Sequence, residues 1–286
     1  MGLPVNTADL RNNGNILGSL PYSTSEYEYR GKKRFWDTID AELNLFAKDK
    51  VGTRSQYVIF SHLDEHTFLK DIDSECFKYF DSYDTHSQIL LIKMPTRGHE
   101  QISRKFVSGL IIKLSRMKDG LQDELHDVGS ADVDLTSRRK QPDQSFCPVT
   151  LPQSRSDKFP TLIIEAAFSE SKTKLRSNAK LWLVESKGDV KVALLMSTNK
   201  ARKEATFELW QPTGRATRNE PGKIVGELKQ TVTVTEKGGH ARASGKLTIP
   251  FEDLFLREAV FPEEDIVFTE RDFVKIASQV WAVQKL

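Results

Sequence analysis

The run Thr161-Leu162-Ile163-Ile164-Glu165-Ala166-Ala167 constrains the fold of this chain more than any other stretch. It is apolar, follows Phe159-Pro160, is too short for a helix between its flanks, and carries a carboxylate at its middle. Such a run is a buried strand. An ionised Glu inside it pays a large desolvation penalty unless a cation or hydrogen-bond donors meet it, so Glu165 requires a partner. Upstream, Pro142-Asp143 stands at the edge of another strand-like segment, which makes Asp143 and Glu165 a natural pair of acids. Downstream, Ser169 or Ser171 is placed to cap a helix whose Leu175, Ala179 and Trp182 recur at i, i+4 and i+7. Gly188-Asp189 closes that helix, and residues 190–196 form a second buried strand, joined to the first by a right-handed crossover.

The flanking sequence builds outward from this unit. Trp36, Ile39, Leu43 and Phe46 fall at helical spacing, residues 57–60 read as a short strand, and residues 67–87 as a helix and loop. Residues 88–94 are a further strand, and Ile102, Phe106, Leu110, Ile111 and Leu114 make the apolar face of a long helix ended by Lys118-Asp119-Gly120. Residues 121–146 suit two antiparallel strands leading into Asp143. The expected core, about 88–211, is therefore an α+β arrangement in the order αβββαβ. Beyond it, residues 224–235 and 241–249 flank Lys237-Gly238-Gly239-His240 as a hairpin, and residues 270–283 form a terminal amphipathic helix. Residues 1–30, rich in Asn, Gly, Ser and Tyr without periodicity, read as a flexible arm, and 31–286 as a single domain.

Composition narrows the class. With 286 residues, 38% hydrophobic and 29% charged, the chain is expected to be a globular protein that does not span a membrane. Two cysteines cannot build a disulfide framework and suit a reducing, intracellular setting, cytoplasmic or nuclear. A net charge of +2 provides no global field for nucleic acid, so any such partner must be met by local basic clusters. Three exist: Arg30, Lys32, Lys33 and Arg34; Arg138, Arg139 and Lys140; and Lys200, Arg202 and Lys203. His62 and His66 are four apart but lack the Glu of a zincin helix, and the chain has no Walker loop, dinucleotide fingerprint or serine-hydrolase elbow.

The order PD, a gap, an apolar strand with Glu, a Ser-bounded helix and a second apolar strand resembles the PD-(D/E)XK nuclease superfamily, with its restriction-endonuclease-like core, over roughly the middle half of the chain. Ile163-Ile164-Glu165, Phe168-Ser169-Glu170-Ser171, Trp182-Leu183 and Gly188-Asp189-Val190-Lys191 are similar to a group of largely uncharacterised fungal proteins of that fold. The resemblance implies a metal-dependent nuclease, acting on DNA, with Asp143 and Glu165 as ligands of Mg²⁺ or Mn²⁺. It also implies that Glu100, at the start of the helix preceding the strands, contributes to the rim of the site. The superfamily's Lys lies two residues past the Glu, where this chain has Ala167; related branches carry it on the following helix, where Lys174 is the candidate. Arg138, Arg139 and Lys140, directly before Asp143, are placed to position phosphates. Loss of catalysis at Ala167 would leave a nucleic-acid or protein-binding module of the same fold, and an unrelated α+β interaction protein is a third reading.

Overall fold

The computed structural model describes residues 16–49, 51–72, 78–94, 97–168, 171–199, 201–214 and 222–284. Residues 1–15, one of the two cysteines (Cys76), Ser169, Glu170 and Lys200 lie outside the described residues. Two sheets carry the fold. The larger has seven strands: β5 (Leu125–Asp127), β8 (Gln144–Pro148), β9 (Leu162–Phe168), β10 (Val192–Thr198), β11 (Glu204–Gly214), β12 (Ile224–Lys237) and β13 (His240–Ala243), in the order β13-β12-β11-β10-β9-β8-β5. Its β9 and β10 run parallel, in register Leu162 to Val192 through Phe168 to Thr198, and its other pairs are antiparallel.

Strand alternation divides β9 between two cores. Leu162, Ile164 and Ala166 pack with the faces of helix α3 (Arg97–Met117) and helix α6 (Glu270–Gln284). Ile163 and Ala167 pack with Leu175, Ala179 and Trp182 of helix α4 (Lys172–Glu185), which makes the crossover between β9 and β10. Glu165 shares the α4 side, and all seven β9 residues are buried. The succession α3, β5, β8, β9, α4, β10 is the expected αβββαβ order.

The second sheet has the order β1-β2-β4-β3-β7-β6, from β1 (Ser25–Glu28), β2 (Tyr57–Ser61), β3 (Phe80–Asp84), β4 (Ile89–Lys93), β6 (Val133–Asp134) and β7 (Arg139–Lys140). Helix α1 (Lys32–Lys48) covers one face with Phe35, Ile39 and Phe46; helix α2 (Glu65–Asp71) adds Phe68. The opposite face buries Tyr57, Ile59, Ile89 and Leu91 under Leu17 and Leu20 of a 3₁₀ turn at Ile16–Ser19. Residues 16–28 are thus packed structure and not part of a flexible arm, because two leucines and a parallel β1–β2 ladder tie them down.

Three further expectations change. Residues 80–84, read as loop, form β3, since Asp81, Ser82 and Asp84 hide the strand pattern with polar side chains that are buried in the fold. Residues 121–146 hold four short strands rather than two, because the chain leaves the large sheet after β5, pairs β7 with β3, and returns at Asp143 to β8. The β12–β13 hairpin turns at Gly238-Gly239, both at positive φ, but β14 (Leu247–Ile249) pairs with β15 (Ile266–Phe268) across helix α5 (Phe251–Phe255). That pairing places Leu247, Ile249, Ile266 and Phe268 in the main core. Among the described residues no helix is long and apolar enough to cross a membrane.

Candidate active site

Where the two sheets meet, six charged side chains form a continuous chain of alternating sign. Lys174 Nζ of α4 stands 3.7 Å from Asp81 Oδ2 of β3, and Lys140 Nζ of β7 stands 3.3 Å from Asp81 Oδ1 and 3.2 Å from Glu165 Oε1. Lys93 Nζ of β4 is 3.9 Å from Glu165 Oε2 and donates to both oxygens of Asp143, at 2.7 and 2.6 Å. Ser82 Oγ donates to Asp81, Trp182 Nε1 donates to Glu165 Oε1 at 3.0 Å, and the Ala166 N–H donates to Asp143 Oδ2 at 2.6 Å. Three ammonium groups thus face three carboxylates, and the penalty for burying Glu165 is met by two cations and an indole donor.

Burial and charge compete in this cluster with different winners. Burial alone would raise the Asp81 carboxyl, but the ammonium groups of Lys140, Lys174 and Lys93 outweigh it and hold Asp81 well below the usual carboxylate range. Burial likewise opposes the charge on Lys140, yet Asp81 and Glu165 together raise its pKa. Lys174 is the exception: burial dominates, Asp81 offsets it only in part, and its pKa falls to about 7. Tyr57, fully buried, is kept protonated by burial and by the fields of Asp81, Glu165 and Asp143.

Only one end of the cluster reaches solvent. A cleft of about 670 Å³ is lined by Asp143, Lys93, Asp81, Glu100, Arg104 and Lys78 among others; Glu165 and Lys174 do not line it. The Asp143 side chain is 21% exposed, whereas that of Glu165 is 1% exposed. Glu100 lies on the cleft wall contributed by α3, in an i,i+4 pair with Arg104.

The six side chains bear on each residue expected from the sequence. Asp143 and Glu165 do approach one cation, but the cation is Lys93, whose position at the end of an apolar strand carried no signal of a site. Lys174, the candidate for the lysine absent at Ala167, is buried, and its ion pair is with Asp81 and not with Asp143 or Glu165. Arg138, Arg139 and Lys140 do not form one exposed cluster, because alternation in β7 turns Lys140 fully inward while Arg138 and Arg139 stay partly exposed. Arg139 pairs with Asp132, and Arg138 Nε donates to Ser137 Oγ. Lys140 is therefore an internal counter-ion of Glu165 and is out of reach of a phosphate backbone. His62 sits at positive φ outside α2, so it does not share a helical face with His66.

Mg²⁺ and Mn²⁺ take hard oxygen donors, and Asp143 and Glu165 are such donors already drawn around one cationic group. The donor chemistry therefore fits a divalent ion. The ammonium of Lys93 uses the same oxygens, and among the described residues no group of three His, Cys, Asp or Glu side chains forms a metal-binding cluster.

No family model and no curated protein matches this chain. Among solved structures, it is similar to a protein of Anabaena variabilis described as a "putative nuclease belonging to DUF820", at 14% identity and a TM-score of 0.41. The match covers 68% of this chain and 90% of that one.

Proposed function

We propose that this chain is a nuclease that hydrolyses phosphodiester bonds of nucleic acid, with DNA the favoured substrate, in the cleft at Asp143. The observation that carries this reading is the Lys93 ammonium, 2.6 Å from Asp143 and 3.9 Å from Glu165: a lysine shared by two carboxylates, with Lys93 and Asp143 on the wall of an open cleft and Glu165 buried behind them. Asp143 and Glu165 would hold Mg²⁺ or Mn²⁺, and the bound ion would polarise the phosphodiester and lower the pKa of a coordinated water. The protein's own contributions are orientation and charge. The Ala166 N–H fixes Asp143, while Trp182 and Lys140 fix Glu165 in one rotamer. Lys93 lines the same cleft beside Asp143, where its positive charge would favour negative charge growing on phosphate oxygens in the transition state. Lys78 and Arg104 on the cleft wall, with Arg138 nearby in sequence, are suited to backbone phosphates.

A second reading, binding without hydrolysis, is favoured by the near-complete burial of Glu165 and its full set of partners. One experiment separates them: cleavage of single- and double-stranded DNA and RNA, titrated with Mg²⁺ and Mn²⁺, for wild type, Asp143→Asn and Glu165→Gln. Hydrolysis by wild type that both variants lose supports the nuclease. Retained binding with no cleavage under either metal supports the binding module, and cleavage undiminished in both variants refutes the assignment of the site.

A further inference from the structure

We propose that Lys93 is a tethered internal cation that occupies the two-carboxylate site and competes with a divalent ion for it, so that β4 of the second sheet sets how readily the site takes up metal. This rests on the reading of Asp143 and Glu165 as the metal-binding acids. Three observations support it. Lys93 is itself 6% exposed, and its ammonium binds both oxygens of Asp143, so it is not a solvated side chain resting near an acid. The same nitrogen lies 3.9 Å from Glu165 Oε2, so one ammonium is shared by these two carboxylates. The cluster also pairs three lysines, Lys93, Lys140 and Lys174, with three acids, Asp81, Asp143 and Glu165, so that each of these carboxylates already faces an internal cation.

The consequence follows from charge alone. A dication that takes the same oxygens meets a like charge in a poorly solvated place and must expel the Lys93 ammonium from two short contacts. That cost weakens uptake relative to the bare pair of acids. Removing the ammonium while keeping the length of the side chain takes one positive charge from the cluster and releases the oxygens of Asp143 and Glu165 from that cation.

The test measures Mn²⁺ uptake by calorimetry on the full chain, without substrate, for wild type, Lys93→Met and Lys93→Arg. Lys93→Met is expected to bind Mn²⁺ at least about tenfold more tightly than wild type, a difference of about 1.4 kcal/mol, while Lys93→Arg stays as weak as wild type or weaker. Equal or lower affinity in a Lys93→Met protein with wild-type circular dichroism overturns the proposal, as does the absence of Mn²⁺ binding in all three proteins. A measurement on wild type alone keeps it falsifiable should Lys93→Met not fold: reaction of Lys93 with an amine-acylating reagent, read by peptide mass spectrometry, should rise severalfold on adding Mn²⁺. Unchanged labelling in wild type at saturating Mn²⁺ overturns it too. Tighter Mn²⁺ binding in Lys93→Met with no cleavage by any form would leave this proposal standing and remove the hydrolytic reading. Wild-type cleavage with equal Mn²⁺ affinities would do the reverse.

Discussion

Replacing Lys140 by Met removes the cation that joins the two most deeply buried acids of the cluster. At 3.2 Å and an effective dielectric constant of about 20, each contact of its ammonium is worth about 5 kcal/mol of gross attraction. Most of that is spent on desolvating a group with no solvent exposure at all. What survives in a measurement is the penalty for stranding the partners, about 3–5 kcal/mol when one member of a buried ion pair is removed. Urea denaturation followed by circular dichroism should therefore show Lys140→Met destabilised by about that amount at neutral pH. Adding Glu165→Gln restores equal numbers of buried cations and anions, so the double variant should be more stable than the sum of the two single losses by about 0.5–3 kcal/mol. A loss below about 0.5 kcal/mol for Lys140→Met, the range of solvated surface substitutions, would refute the internal counter-ion and return Lys140 to the surface.

Two further outcomes follow from the same cluster and its rim. Lys174 titrates near 7 when folded and near its ordinary 10.5 when unfolded, so between those values the unfolded chain binds more protons and stability rises with pH; denaturation at pH 7, 8 and 9 should show that rise, and Lys174→Met should flatten it. A wild-type stability that is flat or falling over this range, or a rise that persists in Lys174→Met, contradicts the burial of that ammonium. Arg138 is partly exposed, whereas Arg139 pairs with Asp132 and Lys140 is buried, so Arg138 is the member of its basic run best suited to meet a phosphate; Arg138→Ala should weaken duplex DNA binding and lower the salt slope by about 0.9, and filter binding with an unaltered slope would make it ordinary surface.

The sequence by itself determined the parts of this protein that are local. A Glu inside an apolar strand, a helix of period 3.6 after it, and an acid after Pro142 are patterns that neighbouring residues create, and they delivered β9, α4, β10 and the order αβββαβ around Glu165 and Asp143. It also left one clue unused: two consecutive strand residues point to opposite faces, so Arg139 and Lys140 could not both be surface cations. Tertiary structure alone decided which cations meet which acids. Lys93 and Asp143 are 50 residues apart, and Lys140 and Asp81 are 59 apart; they meet because residues 133–140 leave the large sheet and pair with β3 of the other. In sequence, a lysine that will be buried beside two acids is identical to one that will be hydrated. The difference is a desolvation free energy, and it does not exist until the second sheet closes over the first.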